Sequence, residues 1–449
     1  MIASLATLAL LAAAAQHAEP PGADHSRLVA EIDANLRTQI LGKWYPRAVD
    51  RTHGGFAEDF DAQWKPRGPE LQRSIVYQAR LTWTAARACS YDPKLAPEYR
   101  AYARHGLDYL RTAMWDAEKG GFYWQIDAST HRPTSARGDE KHAYGNAFGI
   151  YAAAAGYALT HDPRDLDLAK RAYAWLDRHA HDAVNGGYFE ALARDGTPLF
   201  TAPGGAAADE IGTTYSQKSM NTHIHLLEAF TELYMVWPDA TVRARLDELF
   251  HGVRDKVYNP DGYLTMFFKP DWTRASTQDS YGHDIETAYL LVEAAEALGL
   301  QDDEKTWEVA RKLVDHALRY GWDAAHGGFY DHGEAGQPAS GTDKVWWTQA
   351  EGLNALLLME AHSDQTETKY RQGFLKQWQF IQQHQVDHTQ GGWRSSVSRD
   401  GTPPAFEMKS DQWKDPYHQG RALMNVLRRL PVVVRFWKLY DQGFVGPSG

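Results

Sequence analysis

A tripeptide of two glycines and an aromatic residue recurs along the chain at nearly constant intervals. It reads Gly54-Gly55-Phe56, Gly120-Gly121-Phe122, Gly186-Gly187-Tyr188, Gly327-Gly328-Phe329 and Gly391-Gly392-Trp393. A degenerate copy, Asp261-Gly262-Tyr263, sits between the third and fourth. Successive first positions are 66, 66, 75, 66 and 64 residues apart. Such a period describes one supersecondary unit repeated six times. It overrides the expectation of about three domains that length alone would give.

Within each period the order is constant. An amphipathic helix comes first, as over residues 165–179, where Leu168, Ala172, Trp175 and Leu176 fall at helical spacing. A turn with Asp or Asn and the glycine pair follows, then a short aromatic strand such as Phe122-Tyr123-Trp124. A loop leads to a second, more apolar helix, as over 144–158 with Phe148, Tyr151 and a run of four alanines. A helix apolar nearly all round is buried. Six pairs with amphipathic outer and buried inner members give an all-α fold, an (α/α)6 barrel with short β-hairpins. An open α-solenoid is the competing arrangement; closure removes the exposed ends that a solenoid must cap. Loops over 127–140, 193–217, 268–282 and 398–414 exceed the usual length and all precede inner helices, so they should wall a pocket on one face. Gly204-Gly205-Ala206-Ala207-Ala208 has the composition of a lid or of a plain surface excursion.

The stretch Met220-Asn221-Thr222-His223-Ile224-His225-Leu226-Leu227-Glu228 opens polar and turns apolar, as a helix does whose first turn faces a wet pocket. Ser216-Gln217-Lys218-Ser219 offers its N-cap. The equivalent turns of the other inner helices hold Gln78 and Arg80; His142, Tyr144 and Asn146; His283 and Glu286; Trp346, Trp347 and Gln349; and Trp413, Tyr417 and His418. Core filling would place Leu and Ala there. His225 with Glu228, and His283 with Glu286, stand three apart, so each carboxylate can orient its imidazole for acid–base work. Arg80 in an apolar stretch needs an anion or oxygen partner. Trp347 and Trp413 suit stacking on a sugar ring. His223 and His225 lie two apart and point to different faces, so they do not chelate together, and neither a metal nor a cofactor is expected.

A formal charge of −11 without a basic run argues against nucleic acid. The lone Cys89, among alanines, reads as a buried structural thiol. Residues 2–15 are uncharged, and alanines follow through Ala18; the run is short for a membrane span and reads as an export signal over 1–18, leaving 19–449 as one barrel domain. The n-region carries no Lys or Arg, only the terminal amine. Periplasmic or secreted location follows if it is cleaved, with no membrane association afterwards.

With these residues in place, the chain over about 26–440 resembles the N-acylglucosamine 2-epimerase superfamily, above all its cellobiose/mannobiose 2-epimerase branch. The stretches that carry the likeness are residues 220–229, Gly282-His283-Asp284-Ile285-Glu286, Lys344-Val345-Trp346-Trp347-Thr348-Gln349-Ala350-Glu351 and Trp413-Lys414-Asp415-Pro416-Tyr417-His418. The resemblance implies a cofactor-free enzyme inverting carbon 2 at the reducing end of a mono- or disaccharide. It assigns His283 and His418 as the acid–base pair, His225 to ring opening and Arg80 to the cis-enediolate oxygen. Tyr144, Asn221, Glu286, Trp346, Trp347 and Trp413 fall to substrate binding, in a monomer or homodimer. Residues 76–83 mix features of the disaccharide and N-acylglucosamine branches, which leaves substrate size open. The competing readings are an aldose–ketose isomerase, an N-acylglucosamine 2-epimerase, a non-catalytic sugar-binding toroid and an (α/α)6 glycoside hydrolase. The hydrolase needs two carboxylates flanking the bond, and Asp284 and Glu286 point different ways. Mass spectrometry of the protein's native N-terminus should find the first residues removed; an intact Met1 in a soluble cytoplasmic fraction would contradict the export reading.

Overall fold

The glycine-turn period folds as six helix pairs. The computed structural model describes residues 25–67, 71–363 and 367–441. The outer members are α1 (His25–Asn35), α3 (Ala96–Tyr109), α5 (Pro163–Ala180), α7 (Ala240–Gly252), α9 (Glu304–Tyr320) and α11 (Lys369–Phe380). The inner members are α2 (Ile75–Tyr91), α4 (Ala143–Thr160), α6 (Met220–Val236), α8 (Tyr281–Leu298), α10 (Trp346–His362) and α12 (Tyr417–Asp441). The alanine-rich α4 is buried continuously from Ala143 to Gly156, whereas α5 buries a stripe through Leu168, Ala172 and Leu176. Each inner helix packs on the next, and α12 packs back on α2, so the ring is closed and the solenoid alternative fails. The expected N-cap of α6 is Ser219, whose hydroxyl accepts from Thr222 N–H at 3.0 Å.

The strands do more than the sequence suggested. Phe122-Tyr123-Trp124 is not a strand: Phe122 makes an isolated bridge to Trp115, and the paired strand begins at Gln125. Tyr258–Asn259 with Tyr263–Leu264 is a hairpin inside one repeat. Six other antiparallel pairs join the strand before each inner helix to the next repeat, as Gln72–Ser74 does to Gln125–Asp127. The last of them, Phe60–Asp61 with Met408–Ser410, sews repeat six to repeat one. This second ring of strands sits over the N-termini of the inner helices.

Each glycine turn is locked by a repeated device. In Asp116-x-x-x-Gly120-Gly121-Phe122, Asp116 Oδ1 accepts from the N–H groups of Glu118 and Lys119. Its Oδ2 takes buried Lys141 at 2.9 Å. Asp182 with Lys218, Asp323 with Lys344 and Asp387 with Lys409 repeat the pair at 2.6–2.9 Å, and Arg73 replaces lysine against Asp50. Both glycines take positive φ, and a Cβ on Gly121 would come within 2.8 Å of the Trp175 ring, so glycine is required there on two counts.

Cys89 is buried, donates weakly to the Ala85 carbonyl, and burial pushes its thiol up to about 11, in keeping with a structural thiol. Among the described residues no helix is long and apolar enough to cross a membrane. The expected signal over 1–18 lies outside the described residues.

Candidate active site

The fourth residue after each N-cap decides what is scaffold and what is site. Gln78, Asn146, His223, Asp284 and Gln349 occupy this position on successive inner helices. Each accepts a backbone N–H from its own glycine hairpin: Phe56 on Gln78 at 2.7 Å, Phe122 on Asn146 at 2.9 Å, Tyr188 on His223 at 3.0 Å, Leu264 on Asp284 and Phe329 on Gln349, both at 2.9 Å. These are clips, so four of the residues that looked convergent, Gln78, Asn146, His223 and Gln349, are structural, and Asp284 joins them. His223 shows it most clearly. Its Nε2 accepts from Tyr188, which leaves Nδ1–H to donate to the Ser219 carbonyl at 2.7 Å, and burial pushes its pKa down to about 4. It is a neutral imidazole with both nitrogens engaged.

Two residues further on, the side chains turn into the barrel axis. Arg80 is buried, with one Nη donating to Tyr144 Oη at 3.1 Å and the other to Asp415 at 3.3 Å. Its guanidinium lies 4.4 Å from the Phe148 ring centroid and 4.9 Å from that of Tyr417. Burial raises Asp415 to about 6 against the pull of Arg80. His225 sits between Tyr144 and Phe148, ring centroids 5.3 and 4.9 Å away, with Nδ1 3.0 Å from Glu228. The expected His225–Glu228 pair is therefore present.

The expected His283–Glu286 pair is not. His283 Nδ1 instead meets the Ser280 hydroxyl at 2.7 Å, because the ring folds back toward the N-cap rather than down the helix. Glu286 turns inward to Arg421 and approaches His418 Nδ1 at 3.7 Å. His418 takes its partner from another helix, Glu351 on α10, at 2.9 Å. Trp347 touches both imidazoles, its ring centroid 4.8 Å from His283 and 5.5 Å from His418. The Nε2 atoms of His225, His283 and His418 make no hydrogen bond to another described residue.

Arg421 is the residue that the sequence reading passed over. Fully buried on α12, it pairs with Glu228 of α6, Glu286 of α8 and Glu351 of α10, the last at 2.7 Å. Tyr417 Oη also donates to Glu228. Burial alone would raise Glu228, yet Arg421 and His225 hold it well below the usual carboxylate range. An ionised carboxylate only accepts, so Glu228 draws Nδ1–H from His225 and leaves a lone pair on its Nε2. Burial raises Glu351 against the pull of Arg421, and its Oε1 stands 2.9 Å from His418 Nδ1. The hydroxyl of Ser280 can donate or accept, so His283 is free to change tautomer. The signal for Arg421 was available: it is a cation directly before the apolar stretch Ala422-Leu423-Met424 of α12, and like Arg80 it needs an anion or oxygen partner.

Further polar groups complete the wall. Asn221 Oδ1, Trp346 Nε1 and Glu286 Oε2 are buried without a hydrogen-bond partner among the described residues. Trp413 is half-buried, 6.0 Å from Trp124 and 6.3 Å from Tyr144 between ring centroids. It also lines a cleft of about 540 Å³ with Gln72, Gln125, Thr134, Glu210 and Asp411, so three of the four long loops do border the mouth. A second cavity of about 290 Å³ lies at the opposite end of the axis, among Arg87, Glu232, Tyr289 and Glu293, and Glu228 with Arg421 forms its floor. His142 is buried outside the catalytic cluster, its ring 4.7 Å from Trp124.

The fold and this pocket define an (α/α)6 barrel whose axis carries three imidazoles, an arginine and a buried carboxylate cluster. The N-acylglucosamine 2-epimerase (GlcNAc 2-epimerase) family model matches residues 54–422. The chain belongs to that family. It is 31% identical over 405 residues to cellobiose 2-epimerase of Bacteroides fragilis, covering 89% of this chain and 98% of the relative. The solved cellobiose 2-epimerase of Spirochaeta thermophila superposes with a TM-score of 0.80 at 30% identity, covering 91% of this chain and 98% of that one. D-mannose isomerase of Marinomonas mediterranea is 25% identical over 423 residues, covering 89% and 97%.

Burial pushes His283 down to about 4 with Glu286 opposing, and His223 to a similar value. Both should stay neutral from pH 8 to pH 5. Imidazole NMR resonances that do not titrate across that interval would agree; midpoints near 6.5, the ordinary histidine value, would contradict the assignment.

Proposed function

We propose that this protein is a carbohydrate 2-epimerase that inverts carbon 2 at the reducing end of a β-linked disaccharide of the cellobiose/mannobiose type. The observation that carries this reading is the placement of two imidazoles from separate helices, His283 of α8 and His418 of α12, against one indole, Trp347 of α10. Each has its Nδ1 anchored and its Nε2 without a hydrogen-bond partner among the described residues. Inversion at a carbon next to an aldehyde needs one group to remove a proton and another to return a proton to the opposite face. Two independently held imidazoles meet that need.

The chemistry starts with ring opening. His225, backed by Glu228, takes the proton from the C1 hydroxyl as the ring C1–O bond breaks and passes a proton to the ring oxygen, so the imidazole ends the step neutral. The aldehyde formed acidifies the proton on carbon 2. His418, anchored at Nδ1 by Glu351 and kept neutral by burial, removes that proton with its Nε2 lone pair. The electron pair moves onto the carbonyl oxygen and gives a cis-enediolate. Arg80 supplies a fixed positive charge to that oxygen, in a site where Phe148 and Tyr417 exclude water. His283, as the Nε2–H tautomer with Nδ1 accepting from Ser280, gives a proton to the other face of carbon 2 as the carbonyl re-forms, and the proton gained by His418 replaces it through solvent after turnover. In the reverse direction the two imidazoles exchange roles. Trp347 and Trp413 present faces for the sugar rings, and Tyr144, Asn221, Glu286 and Trp346 offer polar groups to its hydroxyls.

The likeness to cellobiose 2-epimerases along nearly the whole chain supports the disaccharide substrate. The likeness to a D-mannose isomerase supports a second reading, in which the same enediolate is protonated at carbon 1 to give a ketose. We also infer export, on the uncharged run over residues 2–15.

Incubation with cellobiose, mannobiose, N-acetylglucosamine and mannose, followed by NMR of the products, separates these readings. The expected product is the carbon-2 epimer of a disaccharide. A ketose would transfer the assignment to the isomerase, and conversion of N-acetylglucosamine alone would restrict it to the monosaccharide. His283→Asn and His418→Asn should each slow turnover by about 10²–10⁴-fold with much smaller changes in sugar binding. Near-normal rates in both variants would remove these histidines from the chemistry.

A further inference from the structure

A second group of chemically capable side chains lies behind the pocket wall, unused by the epimerase chemistry. His142 is the N-cap residue of α4, Glu190 leads the strand after the third glycine turn, and Asp209 belongs to the long loop over 193–217. All three are buried, and one donor atom from each lies within 4.8 Å of the others. Glu140 adds a third carboxylate on the far side of the imidazole.

An acidic cluster alone says little. What points to a ligand is His142, which is 1% exposed with neither ring nitrogen hydrogen-bonded. Its Nδ1 faces Glu190 at 3.7 Å and its Nε2 faces Glu140 at 3.6 Å, both too long for hydrogen bonds. Asp209 Oδ2 is likewise buried without a partner, although Oδ1 of the same group accepts from Ile211 and Thr213. Buried polar atoms are ordinarily paired, and an unpaired one costs about 1–3 kcal/mol. Here two orphaned atoms of ligand type, one from His142 and one from Asp209, lie in the cluster with Glu190. Arg137, which donates to the Ala208 carbonyl at 3.0 Å, sets one positive charge against three carboxylates.

We propose that His142, Glu190 and Asp209 bind a divalent cation of the zinc or manganese class, which pins the 193–217 loop to the barrel. One imidazole nitrogen with two carboxylate oxygens is a donor set for such ions, with ligand bonds of about 2.0–2.2 Å. Donors sharing one ion lie about 3–3.5 Å apart at those bond lengths, so the observed spacing closes with a small movement of the Asp209 segment. Glu140, at the other ring nitrogen, is placed to orient the imidazole as carboxylates do behind metal-bound histidines. The three ligands come from three segments, so no spacing along a single helix could announce them.

The site is structural. It contacts the epimerase pocket through Trp124, which packs on both His142 and Trp413. The ion's effect is on the loop.

The test uses the full protein, stripped with chelator, equilibrated with zinc chloride or manganese chloride and passed through gel filtration. The expected result is one retained metal ion per chain by elemental analysis. His142→Gln and Asp209→Asn should each lose that equivalent. Asp209→Asn keeps the side chain's shape and one acceptor oxygen, so it reports on ligation rather than folding. Limited proteolysis at 204–208 should slow on adding metal to the wild type and not to Asp209→Asn. No retained metal in the wild type, or the same retention in both variants, would overturn the proposal. So would loop cleavage at equal rates with and without metal.

Discussion

The site depends on one buried cation. Arg421, on the last inner helix, meets glutamates from three others, α6, α8 and α10. Taking four charges out of water is costly, and an arginine is suited to the place because its planar fork can serve several carboxylates at once. The return is chemical. Glu228 is held ionised and fixes the tautomer of His225, while Glu351, raised by burial against the pull of Arg421, anchors His418 at Nδ1. Losing one partner from such a cluster leaves charge uncompensated in the core, typically about 3–5 kcal/mol of stability. The cluster therefore binds stability and reactivity to the same atoms. Its position also divides the barrel axis, with the sugar pocket on one side and a separate cavity on the other.

Ring closure is a condition of function. Asp415, Tyr417, His418 and Arg421 belong to the sixth repeat, and Arg80, which Asp415 holds, belongs to the first. The strand pair of Phe60–Asp61 with Met408–Ser410 brings these ends together directly above the pocket. Along the ring, five of the six inner helices give one early position to clipping their glycine hairpins. That frees neighbouring positions, a third of a turn or more away, to face the axis. The contrast of His223 with His225 is the result: same helix, same residue type, one locked into scaffold and one left open to the pocket.

The architecture was largely legible because it rests on local rules repeated six times. The glycine turns, the helix pairs and the buried alanine-rich inner helices follow from periodicity and positive-φ geometry, and Ser219 capped α6 as its position implied. Cross-repeat contacts were less legible. The strand pairs between repeats involve two or three residues each, too few to leave a pattern. His225–Glu228 could be read because both residues share a helix. His283 chose Ser280 over Glu286, and His418 chose Glu351 from a different helix, because Arg421 competes for the glutamates. Only the folded ring puts that competitor among them. Gln78, Asn146 and Gln349 looked like site residues for the same reason: they sit on the right turn, but their hydrogen bonds go outward to backbone.

The central claim is that His283 and His418 pass protons at one carbon. Turnover of cellobiose in D2O, with the product isolated and read by NMR, tests it directly. The account predicts solvent deuterium at carbon 2 of the epimerised reducing-end sugar. Epimer formed with no deuterium at that carbon would contradict proton exchange through these imidazoles.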